Sequence, residues 1–223
     1  MAAPGSREAR VARWLRPGAW AAGLVPLALL LYAGFTDGLT AEPVEFVTHR
    51  TGFAAILLLM ATLAVTPLRR LTGWNVLAPV RRTLGLCAFL YACLHLVTYL
   101  FDQGLFFPGE FALGYIWEDV AERLYVTVGF TAFLLLIPLA LTSTRASIRR
   151  LGKRWQKLHR LVYIAAGLGV LHWIWLVKKD LRDPLIVAAV FALLMLLRLP
   201  GVLSRRRPAA RRPRAETPLR AAP

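Results

Sequence analysis

Only two cysteines occur in this chain, Cys87 and Cys93, and both fall inside one apolar stretch. Two thiols so placed imply no disulfide framework and act as small buried hydrophobes. Acidic residues are scarce too, 12 against 28 lysines and arginines. Few are embedded in apolar segments, which gives a charge-lined transport path little support. The chain has no G-x-G-x-x-G, no phosphate-cradling loop, no hydrolytic triad and no zinc-finger array. Substrate chemistry inside this chain is therefore not expected. Internal repeats and Gly/Ser linkers are missing as well, so the reading is a single membrane domain.

What is present is hydrophobicity, 57% of the 223 residues with a mean hydropathy of +0.54. A bilayer core about 30 Å thick needs roughly 20 apolar residues in a helix. Six stretches of about that length can be read, at 19–36, 50–67, 83–101, 124–141, 158–177 and 184–199. Continuous runs such as Ala54 to Met60 favour helices over barrel strands, which alternate apolar and polar residues. The expected fold is an all-α membrane protein, a six-transmembrane helix bundle. No cleavage site follows the first apolar segment, so that helix is expected to stay.

Charge position assigns the topology. Traced from an inside N-terminus, 23 of the 28 basic residues fall on the inner side and ten of the twelve acids on the outer side. This alternation is the positive-inside pattern, with both termini cytoplasmic, and it argues against nucleic acid as the reason for the net charge of +16. Residues 1–18 read as a basic N-tail, 19–199 as the membrane domain and 200–223 as a disordered basic C-tail that contacts anionic lipid. The longest polar connections are 102–123 outside, with an interfacial helix near 117–123, and 142–157 inside. The outer one could dock a partner or be a plain connector.

Four histidines remain: His49, His95, His159 and His172. Ionisable residues in a bilayer are expensive, and neutral imidazole is an axial ligand of b-type haem. His95 and His172 lie at matched depth on different helices, as bis-histidine ligation requires. The alternative for each is an imidazole satisfied by a backbone carbonyl. Cys93-Leu94-His95 is not a C-x-x-C-H site, so any haem would be held non-covalently. His159, thirteen residues before His172 and about 20 Å away along a helix, cannot share its iron. A straight helix would also turn the two about 140° apart, with Gly167 and Gly169 as candidates for a distortion. His49 sits at the outer mouth of the second helix, where it could serve a quinone site, a partner surface or helix entry. Arg82 and Arg154 could contact haem propionates or a flavin phosphate, although topology alone accounts for them.

Taken in order, Thr48-His49-Arg50-Thr51-Gly52, Thr66-Pro67-Leu68, Arg82 to Leu86, Leu94-His95-Leu96, Thr142-Ser143-Thr144 and Leu151 to His159 followed by His172 resemble the MsrQ (YedZ) family. These are haem-binding membrane subunits within the ferric-reductase-like transmembrane superfamily, and the resemblance covers roughly residues 20–200. It implies six helices in a bacterial inner membrane and one or two b-type haems on His95, His159 and His172. It further implies electrons from the respiratory chain, by way of the quinone pool, to a periplasmic molybdopterin-containing methionine sulfoxide reductase that repairs oxidised protein. The chain would be an electron-transfer subunit, not the catalytic one. FMN is associated with the family, but no local motif places it. No nucleotide-binding motif follows the sixth stretch, so donor and acceptor are expected on other molecules. A self-standing ferric or quinone reductase and a non-redox transporter or scaffold are the alternatives.

Overall fold

The computed structural model describes residues 4–36, 38–103 and 113–199, and no strand occurs among them. The helices are α1 (Pro4–Phe35), α2 (Pro43–Thr72), α3 (Ala78–Asp102), α4 (Leu113–Glu122), α5 (Leu124–Leu141), α6 (Arg145–Leu151), α7 (Lys153–Leu158), α8 (Leu161–Leu176) and α9 (Arg182–Leu196), with a 3-10 turn at Asn75–Leu77 before α3. The left-handed residue Gly73, φ 75°, ends α2 and returns its N–H to the Arg69 carbonyl. Gly152, φ 50°, separates α6 from α7.

Among the described residues four segments are long and apolar enough to cross a bilayer: Arg13–Phe35, Pro43–Thr72, Asn75–Asp102 and Leu124–Leu141. The fifth and sixth expected stretches are helices as well, but α8 has 16 residues and α9 has 15. At 1.5 Å per residue they reach only about 24 Å, less than the hydrocarbon core. The shortening of the fifth stretch has a local cause, because the chain turns at His159 and Arg160 before α8 begins. That turn, and not Gly167 or Gly169, is where the helix is interrupted. Both glycines lie within α8, packed against Phe191 and Ile56. At the other end of the chain α1 begins at Pro4, so most of the segment read as a tail is helical. Residues 104–112 of the outer loop and the basic segment 200–223 lie outside the described residues.

α2 is the hub. Half of its apolar window is buried, against 11–17% for the other three long segments. Its Ile56, Leu59, Met60 and Leu63 pack with Ala88 of α3, Ala166 and Val170 of α8, and Val187 and Leu194 of α9. Leu29, Tyr32, Leu134, Ile164 and Leu193 face outward and are largely exposed. Such a surface suits lipid and would be an association liability in water.

Tyr91 fastens α1 to α3. Its side chain is fully buried, and its hydroxyl donates to the Gly23 carbonyl and accepts from the Leu27 N–H. Those two groups are i and i+4 in α1, so the phenol is inserted into a helical hydrogen bond. Gly23 permits the approach, since a Cβ there would stand 2.6 Å from the Cys87 sulfur. Tyr91→Phe is expected to lower the unfolding free energy by about 1–3 kcal/mol, the cost of leaving buried polar groups poorly paired. Thermal unfolding of the detergent-solubilised protein measures it.

Two antiparallel helix pairs carry the histidines. α3 returns antiparallel along α2, with Gly85 against Thr62 at one level and Gly52 against His95 at another. α8 returns in the same way along α5, with Gly129 against His172. Thr48, Gly52, Ala88 and His95 of the first pair have their counterparts 77 residues later, in Tyr125, Gly129, Ala165 and His172 of the second. The sequence reading finds no internal repeat, and the equal spacing here is one of these site positions.

Candidate functional site

His95 on α3 and His172 on α8 face each other with ring centres 6.2 Å apart and ring planes at 76°. The Nδ1 of His95 lies 2.9 Å from the Thr48 carbonyl oxygen, and the Nδ1 of His172 lies 2.7 Å from that of Tyr125. A carbonyl can only accept, so each Nδ1 carries the hydrogen and donates it. Each Nε2 then keeps a free lone pair, the tautomer that a metal-binding imidazole adopts when its other nitrogen is hydrogen-bonded.

Glycines make these bonds possible. In a helix the carbonyl of residue i bonds the N–H of residue i+4, which for Thr48 is Gly52 and for Tyr125 is Gly129. Without a Cβ at i+4, the carbonyl can be reached from the side. A Cβ on Gly52 would stand 3.0 Å from the Nδ1 and Cε1 of His95, and one on Gly129 only 2.6 Å from the Nδ1 of His172. Small residues recur one and two turns before each histidine, Ala92 and Ala88 on α3, Gly169 and Ala165 on α8. At three- and seven-residue spacing they share the histidine's face and widen the gap between the helices.

The result is a cavity of about 1430 Å³ running from the histidine pair to one end of the bundle. Its deeper walls include Leu59, Phe133 and Leu136, and Trp173 meets Phe53 edge to face at 5.6 Å. His49, Arg50, Glu45, Asp119 and Lys178 line its mouth. At the rim Asp119 accepts from the Tyr99 hydroxyl and the Arg123 guanidinium, both at 2.8 Å, which pins the end of α4 to α3. Thr48 also lines the cavity, and its hydroxyl is buried without a hydrogen-bond partner.

This donor set can be tested against a metal cofactor. Among the described residues no three His, Cys, Asp or Glu side chains converge as metal ligands. Two imidazoles are too few to hold a bare metal ion, whereas they would suffice for a haem, whose macrocycle would bring its own nitrogen donors. Metal–imidazole bonds of about 2 Å, plus about 1.1 Å from each nitrogen to its ring centre, would place the centres about 6 Å apart. The measured 6.2 Å fits that arrangement. The cavity exceeds the roughly 300–1,000 Å³ typical of small-ligand pockets, so a macrocycle has room.

The remaining sequence candidates fall elsewhere. His159 closes α7 and is not part of the pair. Its ring stacks on Trp155 at 3.9 Å, and its Nε2 lies 3.0 Å from the Thr142 hydroxyl. That hydroxyl already donates to the Pro138 carbonyl, so His159 donates through Nε2 and only its Nδ1 lone pair is free. His49 is at the mouth, its side chain 59% exposed and 3.9 Å from Glu45. Arg82 and Arg154 are exposed and do not line the cavity. Sequence reasoning missed Gly129 and the two carbonyl acceptors. A comparison of the chain with itself at a shift of 77 residues would have matched Gly52 with Gly129, Ala88 with Ala165 and His95 with His172.

Residues 51–170 match the model of a family described as ferric reductase like transmembrane component. The chain is also similar to proteins named protein-methionine-sulfoxide reductase heme-binding subunit MsrQ. The Deinococcus radiodurans protein is 49% identical over 197 residues, covering 88% of this chain and 95% of that one. The Herminiimonas arsenicoxydans protein is 49% identical over 180 residues, 79% of this chain and 80% of the relative. The Rhodospirillum rubrum protein is 50% identical over 185 residues, 81% and 86% respectively.

Proposed function

We propose, from the premise that this chain belongs to the ferric reductase like transmembrane family and within it to the MsrQ heme-binding subunits, that it is a haem b electron-transfer subunit whose haem is ligated by His95 and His172. The observation that carries this reading is the pair itself: two imidazoles 6.2 Å apart, each with its Nδ1 proton held by a carbonyl. When bound, haem supplies a one-electron carrier of the kind that needs no substrate pocket of its own. The chain's residues do the rest. The Thr48 and Tyr125 carbonyls fix ring orientation and raise ligand basicity, while Phe133, Leu136 and Trp173 keep the deeper cavity apolar.

Direction follows from charge. The bundle end bearing Arg69, Arg81, Arg149, Arg150 and Lys153 is proposed as cytoplasmic, and the cavity mouth as periplasmic. Six crossings then require α8 and α9 to span with the help of their flanks, Lys178 and Lys179 at one end and Arg198 at the other. Electrons enter from quinol of the respiratory chain and leave at the mouth to a periplasmic molybdopterin-containing methionine sulfoxide reductase. His49 and Arg50, exposed at that mouth, are positioned for either exchange.

His159 is the position the family resemblance adds as a further ligand, and here it would bind through Nδ1. The haem-to-chain ratio from a pyridine haemochrome assay decides its role. A ratio near two that drops to one in His159→Ala assigns it a second haem. A ratio near one in both proteins makes it a structural histidine. A well-folded protein without haem would overturn the proposed function.

A further inference from the structure

Among the described residues no hydrogen bond joins His95 to His172. Each imidazole is held within its own helix pair, at the Thr48 carbonyl between α3 and α2 and at the Tyr125 carbonyl between α8 and α5. The 6.2 Å between the rings therefore depends on what holds the two pairs to each other. On the deeper side Phe89 of α3, six residues before His95, stacks on Phe133 of α5 with ring centres 5.9 Å apart and planes at 12°. Towards the mouth the cavity opens between the pairs.

A polar connection crosses the gap at the rim. Tyr99, one turn beyond His95 on α3, donates its hydroxyl to Oδ2 of Asp119 at 2.8 Å, and the Nε of Arg123 donates to Oδ1 at 2.8 Å. Arg123 immediately precedes α5, and its Nη1 donates to the Tyr125 hydroxyl at 3.3 Å. The carbonyl of that same Tyr125 accepts from His172. The junction between α4 and α5 is braced as well, by the Arg123 N–H on the Asp119 carbonyl at 3.0 Å and by the Thr127 hydroxyl on the Val120 carbonyl. The connection thus runs from one turn beyond one histidine to the residue that orients the other.

Asp119 is its centre. The neighbouring acids of α4, Glu118 and Glu122, are exposed, whereas the Asp119 side chain is only 10% exposed and uses both oxygens. A carboxylate drawn out of water is held by short, charge-assisted bonds, and losing one partner leaves it poorly paired. An apolar contact would anchor α4 too, but it would tolerate sliding that two directional bonds do not.

We propose that Asp119 is a positioning residue for the histidine pair: by holding Tyr99 and Arg123 together it fixes the spacing and relative rotation of the helices that carry His95 and the acceptor of His172. The proposal rests on the reading of that pair as haem ligands, for which spacing and rotation set the ligand geometry.

Asp119→Asn is the main variant, because an amide offers one acceptor oxygen and must release Tyr99 or Arg123. Tyr99→Phe removes one bond and keeps the ring. Arg182→Gln, which breaks the exposed contact with Asp180, is the control. All are made in the full-length His159→Ala protein, so that one histidine site is read. Asp119→Asn is expected to shift the largest g value of the low-spin haem in electron paramagnetic resonance. It should also speed haem transfer to apomyoglobin about tenfold, the lower end of what losing an outer partner of a metal ligand costs. Tyr99→Phe should do both in smaller measure, and Arg182→Gln should match the parent. A merely structural tie would lower the melting temperature and leave the g values and haem loss unchanged, and that result overturns the proposal. So does an equal effect in Arg182→Gln. Hydrogen exchange over residues 113–130, read with and without haem, is expected to quicken in Asp119→Asn, and unchanged exchange also overturns it. A parent without low-spin haem would sink the ligation reading alone, and the exchange result would then decide whether Asp119 holds the two pairs together.

Discussion

His172→Ala is expected to abolish the low-spin b-type spectrum of the His95–His172 site while the protein still inserts and purifies as a monodisperse species. The side chain makes one hydrogen bond to the bundle, to the Tyr125 carbonyl, worth about 1 kcal/mol. Its ring borders an existing cavity, so truncation enlarges a space already present and does not open a void in packed core. Folding should therefore survive. Ligation should not, because one of the two facing imidazoles is gone and His49, the other histidine lining the cavity, stands exposed at its mouth. Bound haem at this site should fall below about a tenth of wild type, and any residue should turn high-spin. His95, likewise bound by one carbonyl and bordering the cavity, should behave the same way in His95→Ala. Visible spectra alongside size-exclusion chromatography check it, and a normal low-spin spectrum in either variant would refute the ligand assignment.

Gly129→Ala is expected to reproduce much of that loss without touching a ligand. An added methyl would stand 2.6 Å from the Nδ1 of His172 and 2.8 Å from its Cε1, closer than any real contact tolerates. The imidazole must swing away, which breaks its bond to the Tyr125 carbonyl and turns Nε2 from the shared centre. Losing a hydrogen bond that orients a metal ligand costs about 10- to 100-fold in affinity. Gly52→Ala should be milder, because its methyl would sit 3.0 Å from His95 and a few tenths of an ångström of movement relieves it. Haem titration of the apoproteins measures the order, with Gly129→Ala weaker than Gly52→Ala and both weaker than wild type. Equal, wild-type affinities would mean that the carbonyl bonds do not orient the ligands.

The sequence carried the parts of this arrangement that depend on residue type. Apolar length located all of the long helices, and the match at α5, 124–141, is complete. Depth counting brought His95 and His172 to one level. Helix termination was less legible, because the turn at His159–Arg160 contains neither proline nor glycine, whereas Gly167 and Gly169, which look like breaks, are packing positions inside α8. Backbone acceptors were invisible in principle, since every residue has a carbonyl and nothing in Thr48 or Tyr125 announces that theirs is used. The equal spacing of the site residues was hidden by composition. At a shift of 77 the coincidences are mostly Leu, Ala and Gly, which recur throughout any apolar helix, and only the histidines and their glycines give it meaning.

The most direct test of the central claim is electron paramagnetic resonance of the oxidised His159→Ala protein, which leaves the His95–His172 pair as the sole histidine site proposed for haem. One low-spin signal of about one spin per chain is expected, strongly anisotropic because the two ring planes cross at 76°. An axial high-spin signal, or a chain with no haem at all, would contradict bis-imidazole ligation by His95 and His172.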